Sequence, residues 1–299
     1  MKKEKKGLLD YSIIILLTII FLMCLIGLII YFTKGMKTEK QMEELRDSYV
    51  TESTQSSDVP QMGETQNGEE KAPVEGTTEN AEDKVVYTTI DGVDYPDFTG
   101  LTIPAREVDI AGLQSQINDD IYAWIYIPNT SVDYPILQHP TDNEYYLNHD
   151  MSDKKVSAGS IFTQNYNAKD FNDNHTVIYG HNMKNGSMFK TLHYYMEKGF
   201  LEENPYVYIY LEGETRIYQI FGAYEYSDLH LLLNYDTEDD AVFAEYISEI
   251  EGMSNSVGHF NRELELSSDD KIITLSTCIG GKPDKRYLVQ AKLIAVERE

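Results

Sequence analysis

Apolar positions fall into three regimes along this chain. From Ile13 to Phe32 nearly every residue is apolar, with Thr18, Gly27 and Tyr31 as mild exceptions. From Thr38 to Lys84 apolar residues are sparse, and Glu, Gln, Ser, Thr, Gly and Asn dominate. From Asp109 onward short apolar runs alternate with turn residues at close spacing. The first regime predicts a membrane-spanning helix, because some twenty residues at about 1.5 Å rise cover a hydrocarbon core of about 30 Å. The second cannot bury enough apolar surface to offset the entropy of ordering and predicts a flexible stalk. The third predicts a folded domain.

Within that domain, Ile110, Leu113 and Ile117 have the spacing of an amphipathic helix over 109–120. Strands are expected at 121–127, 132–138, 159–164 and 176–179, with Pro135 suggesting an edge position for the second. Residues 143–148 read as a short strand or turn, and 187–196 as a short helix. The runs 206–212 and 215–226 read as a hairpin around Glu212-Gly213-Glu214. A helix follows over 238–253, with Ala241, Phe243, Ala244, Ile247 and Ile250 on one face and Asp236 or Thr237 as its cap. Two buried strands close the domain, Ile272–Leu275 and Tyr287–Ile294, joined through Gly280, Gly281 and Pro283. About eight short strands with peripheral helices describe a mainly β fold, a closed or nearly closed barrel.

The boundaries that follow are a cytoplasmic N-terminus (1–10), a transmembrane signal anchor (11–33), a flexible acidic stalk (34–84), a transition segment (85–108) and the folded domain (109–299). Lys2, Lys3, Lys5 and Lys6 precede the apolar run and hold the N-terminus in the cytoplasm. The run is longer than a signal-peptide core and lacks a small-residue cleavage site, so it reads as an uncleaved anchor with the domain outside the cell. Composition adds one exclusion. With 25 Lys+Arg against 50 Asp+Glu the net charge is −25, which argues against nucleic acid as a partner.

Candidate chemistry centres on the last two strands. Cys278 ends the first of them and is the only cysteine outside the apolar run, where Cys24 lies. It has no disulfide partner in its own compartment, and its setting among Ser276, Thr277, Gly280 and Gly281 is polar and open. Arg286 follows eight positions later, at the head of the next strand. A guanidinium there suits an oxyanion better than the ammonium of Lys282 or Lys285. His181 follows Gly180 at the end of a predicted strand. These residues suggest acyl transfer: Cys278 as nucleophile forming a thioester, His181 as general acid and base, Arg286 steadying the oxyanion. The other six histidines, His139, His149, His175, His193, His230 and His259, have no zinc-ligand spacing, and no CxxC is present. The acids Asp236, Glu238, Asp239 and Asp240 do not follow an EF-hand pattern and fit a helix N-terminus. No metal or cofactor is expected.

Thr274-Leu275-Ser276-Thr277-Cys278 followed by Arg286, with Tyr179-Gly180-His181-Asn182-Met183 upstream, resembles the cysteine and histidine motifs of class B sortases. The resemblance covers about residues 109–299. It implies a sortase-type eight-stranded barrel with a preceding helix and an extra helix before the cysteine strand. It also implies cleavage of an NPxT-type sorting signal after threonine and transfer to an amine of a cell-wall peptidoglycan precursor. Two alternatives stay open: a pilin-polymerising sortase whose acceptor is a pilin lysine, and a tethered adhesion or scaffold module with a degenerate site.

Overall fold

The structure is a computed structural model that describes residues 3–52, 87–90, 93–96, 104 and 106–298. It divides into two compact units, 1–49 and 50–299.

The first unit is one helix, α1 (Lys3–Tyr49). The side chains described in its apolar run, Ile14 to Ile30, are exposed, Met23 at 68% and Phe21 at 66%. A helix that is apolar on every face has no polar side to give to water. Among the described residues no helix is long and apolar enough to cross a membrane. Several side chains of the 11–33 span, including Ile13, Tyr31 and Phe32, lie outside the described ones. The expected stalk begins as helix, through Tyr49, and its remainder from 53 to 84 lies outside the described residues.

The second unit opens with β1 (Val50–Glu52), β2 (Tyr87–Ile90), β3 (Val93–Pro96) and β4 (Arg106–Val108). β2 pairs with β3 and β1 with β4, both antiparallel, as two small sheets. α2 (Ile110–Gln116) follows, capped by Asp109, whose carboxylate accepts the Gly112 N–H at 2.7 Å. Ile110 and Leu113 are buried, but Ile117 falls at the C-cap and is exposed, so the helix is shorter than its spacing predicts.

The main sheet contains β5 (Ile121–Tyr126), β6 (Asp133–Leu137), β7 (Ile161–Thr163), β8 (His175–Tyr179), β9 (Tyr206–Leu211), β10 (Glu214–Ser227), β11 (Gly258–Phe260), β12 (Ile272–Ile279) and β13 (Lys282–Arg298). Its order is β11-β10-β13-β12-β8-β7-β6-β5-β9, and β9 pairs back onto β10. That last pairing closes eight strands into a barrel. Fourteen-residue β10 makes both the closure and the branch: residues 214–219 pair with β9, and residues 222–224 pair with β11. β6 pairs with β5 on one side and β7 on the other, so it is interior, not an edge. Pro135 is tolerated because β7 pairs only with Ile136 and Leu137, and no ladder bond is asked of the proline.

Residues 143–148 hold a short 3-10 turn at Tyr145–Leu147, and residues 189–196 are 3-10 rather than α-helical. Two four-residue helices that periodicity does not reveal are α3 (Phe200–Glu203) and α4 (Leu231–Asn234). α5 (Asp240–Glu251) is the helix expected before the cysteine strand. Its cap is Asp239, which accepts the N–H groups of Ala241 and Val242 at 2.9 and 3.2 Å; neither Asp236 nor Thr237 serves. Its buried face is Phe243, Tyr246, Ile247 and Ile250, while Ala241 and Ala244 are exposed. This face packs on Val177, Phe221, Tyr224, Ile272 and Leu288, on the outside of four barrel strands. β12 is buried on both faces through residue 277 for that reason.

Beneath α5 lies a buried polar network. Gln290 Nε2 donates to Thr274 Oγ1 at 2.7 Å and to the Tyr246 hydroxyl at 2.6 Å, and the Tyr224 hydroxyl donates to Gln290 Oε1 at 2.6 Å. His175, expected in a loop, instead starts β8 and is 1% exposed, with Nε2 at 2.6 Å from Thr274 Oγ1.

Candidate active site

Two strand pairings converge on the predicted residues. β12 runs parallel to β8, with Ser276 opposite Tyr179, so the residues just past the end of β8 lie beside the end of β12. β12 runs antiparallel to β13, with Cys278 directly opposite Arg286. Paired side chains share one face of a sheet, so thiol and guanidinium project together. Cys278, His181 and Arg286 line one cleft of about 250 Å³, with Tyr179, Tyr226 and Leu147 among its other walls.

Local chemistry explains each position. Gly280-Gly281 makes a two-residue turn with Ile279 opposite Lys282, and Gly281 sits at φ +79°, where a side chain would be strained. Residues 283–285 then form an insertion in β13, because Cys278 pairs with Arg286 rather than with Pro283. Arg286 is thus not the first residue of its strand but the one after the bulge. Its Nη1 donates to the carbonyls of Pro283 and Lys285 at 3.0 and 2.9 Å, inside that bulge. Nε and Nη2 are the guanidinium's remaining donors, and the residue lines the cleft. Lys282 is bound to Glu225 and does not line the cleft, and neither does Lys285.

Gly180 permits the turn that carries His181. A Cβ there would meet Ile161 Cδ1 and the Phe189 ring at 2.6 Å. His181 Nε2 lies 2.8 Å from the Leu147 carbonyl, which only accepts, so Nε2 carries hydrogen. Nδ1 is left as the nitrogen able to exchange a proton. Cys278 is exposed and free of any disulfide, as is Cys24.

Sequence reasoning overlooked parts of this site. His230 lines the cleft. Its Nδ1 accepts the Leu233 N–H at 3.3 Å, so Nε2 donates to Gln164 Oε1 at 2.7 Å. Burial lowers its pKa. A neutral imidazole with both nitrogens engaged is a wall, not a second base. The Leu147 carbonyl also belongs here, and so does Asn182, which stands beside His181 in the motif but whose contact with Cys278 only the tertiary structure reveals. Among the described residues no cluster of His, Cys, Asp or Glu could hold a metal.

The sortase domain family matches residues 125–294, more than half of the chain. The chain belongs to the class B sortases. Sortase B of Listeria monocytogenes is 37% identical over 182 residues, covering 60% of this chain and 72% of that one. Sortase B of Staphylococcus aureus is 32% identical over 184 residues, covering 60% and 73%. Among solved structures, a Staphylococcus aureus sortase B–substrate complex superposes with TM-score 0.55 at 30% identity, over 62% of this chain and 84% of that one. Clostridium perfringens sortase B gives 0.53 at 31%, over 62% and 98%. The eight-stranded barrel is the sortase barrel, and this sortase is a cysteine transpeptidase.

Proposed function

We propose that this sortase is anchored in the membrane by 11–33 and cleaves an NPxT-type sorting signal of surface proteins after threonine. It passes the acyl group to an amine of a peptidoglycan precursor. Cys278 is the nucleophile: its thiol proton passes to His181 Nδ1, the thiolate adds to the threonine carbonyl, and Arg286 Nε and Nη2 donate to the resulting oxyanion. His181 Nδ1 protonates the departing amine as the C–N bond breaks and the thioester forms. An incoming amine then gives its proton back to His181 and displaces the thiolate. The observation that carries this reading is that the three side chains line one cleft. A sorting-signal ligand is supported by the existence of a substrate complex of a sortase B at 30% identity. Support for the anchor is the exposed apolar run from Ile14 to Ile30 behind a lysine cluster.

The test is incubation of full-length protein with an Asn-Pro-Gln-Thr peptide and an amine acceptor, read by mass, beside Cys278→Ala. The expected result is a threonyl-acceptor product from the wild type alone. An equal yield from both proteins removes Cys278, and no product with any NPxT peptide removes the substrate assignment. For the anchor, carbonate washing of membranes should leave the full chain in the pellet; release into the supernatant rejects spanning.

A further inference from the structure

We infer that Asn182 is a positioning residue for the reaction proposed above, fixing the carbonyl of the nucleophile's own peptide to the residue that follows the general base. The β8–β12 ladder ends at Ser276 and Tyr179, followed by one backbone bond from Gly180 N–H to the Ser276 carbonyl at 3.2 Å. Cys278 and His181 lie beyond that last rung. The next link between the two segments is a side chain: Asn182 Nδ2 donates to the Cys278 carbonyl at 2.8 Å.

The orientation of this amide follows from its surroundings. His193 Nδ1 lies 3.1 Å from the Lys190 carbonyl and so carries hydrogen, which leaves Nε2 as an acceptor in the neutral ring. That Nε2 lies 3.5 Å from Asn182 Nδ2. Two acceptors on the same side require the amide nitrogen there, not the oxygen. His193 is in turn stacked on Tyr287, centroids 5.1 Å apart, and Tyr287 is the cross-strand partner of Thr277. The loop that carries Asn182 is closed independently, by Phe189 N–H to the His181 carbonyl at 2.9 Å. Asn182 is therefore held from one side and holds Cys278 from the other. Without it, Cys278 stays paired with Arg286 and His181 stays held by Leu147 and Phe189, but the link that sets the thiol segment against the imidazole segment is lost. Misplacement of reacting groups by about 1 Å costs on the order of 100-fold in rate.

The experiment compares full-length wild type, Asn182→Ala, Asn182→Asp, Asn182→Gln and Cys278→Ala, with an Asn-Pro-Gln-Thr peptide and hydroxylamine as amine. Asn182→Ala should lower kcat about 100-fold with KM for the peptide within about twofold. Asn182→Asp has the same shape but no N–H and should lose at least as much. Asn182→Gln keeps the donor and should recover part of kcat. Thermal midpoints check folding, and the isosteric Asp variant carries the test if the Ala variant fails to fold. A kcat within about threefold of wild type in Asn182→Asp, or a loss confined to KM, overturns the inference. If the wild type itself gives no Cys278-dependent product, the proposed function falls. Asn182 is then judged by iodoacetamide labelling of the Cys278-containing peptide. A fall of about fivefold or more in Asn182→Asp supports the clamp, and an unchanged rate overturns it.

Discussion

Acid should destabilise this barrel in part through His175, the most deeply buried of its downward-shifted histidines. The imidazole is 1% exposed, and burial pulls its pKa down to about 3. Nε2 bonds to Thr274 Oγ1, while Nδ1 has no partner among the described residues. Protonation would therefore create a buried cation and a donor with nothing to donate to. Above pH about 6.5 neither the folded nor the unfolded chain protonates this residue, and it adds no slope. Below that, the unfolded chain takes up a proton that the folded chain refuses, so stability falls as pH falls, down to the folded value of about 3. One proton corresponds to about 1.4 kcal/mol per pH unit, so His175 should cost about 2 kcal/mol at pH 5. His175→Phe keeps a ring against Tyr246, now stacked at 5.2 Å, and removes the titration. It should be less stable than wild type by about 1 kcal/mol at pH 7.5, for the lost hydrogen bond. The two stabilities should cross near pH 6, and the variant should lead by about 1 kcal/mol at pH 5. Urea titrations followed by the single tryptophan, Trp124, which is fully buried, read this directly. Parallel stability curves from pH 7.5 to 5 would refute the reasoning.

Other outcomes follow from the same structure. Arg286→Lys keeps charge but loses the planar donor pair, and should lower kcat about 100-fold, roughly 3 kcal/mol, with little change in KM; near-normal turnover in Arg286→Ala would take the arginine out of the mechanism. Gly180→Ala forces its Cβ into Ile161 and Phe189, and should cost about 1–3 kcal/mol of stability and displace His181; a wild-type melting curve and rate would contradict the close approach. Gln290→Leu removes the hub linking Tyr246, Tyr224 and Thr274, and should lower stability by about 2 kcal/mol or more; an unchanged urea midpoint would show that the network is not holding α5. Removal of Met1–Lys84 should leave a soluble, active protein, since the barrel and cleft lie downstream; aggregation or loss of a cooperative melt would reject that boundary.

Local chemistry made much of this protein legible without coordinates. Apolar runs bounded by turn residues locate all of the barrel strands within a few positions, because a buried strand needs apolar side chains and each turn needs its glycine or polar pair. The same reading points to Cys278 and His181 at strand ends and to Arg286, which lies inside β13 rather than at its head. What periodicity could not decide was anything set by partners distant in sequence. Pro135 reads as an edge residue, yet β5 pairs on one side of its strand and β7 on the other, and only the shortness of β7 spares the proline. α5 reads with Ala241 and Ala244 inward, but the curved outer face of the barrel selects Tyr246 instead. His175 reads as loop because Asp173-Asn174 precede it, whereas pairing with Ile272 draws it into the core. The partners of the site, Leu147 for His181 and Asn182 for Cys278, are contacts of 34 and 96 residues in separation. Residue patterns record what a segment requires of its surroundings; which segments meet those requirements is decided when the barrel closes.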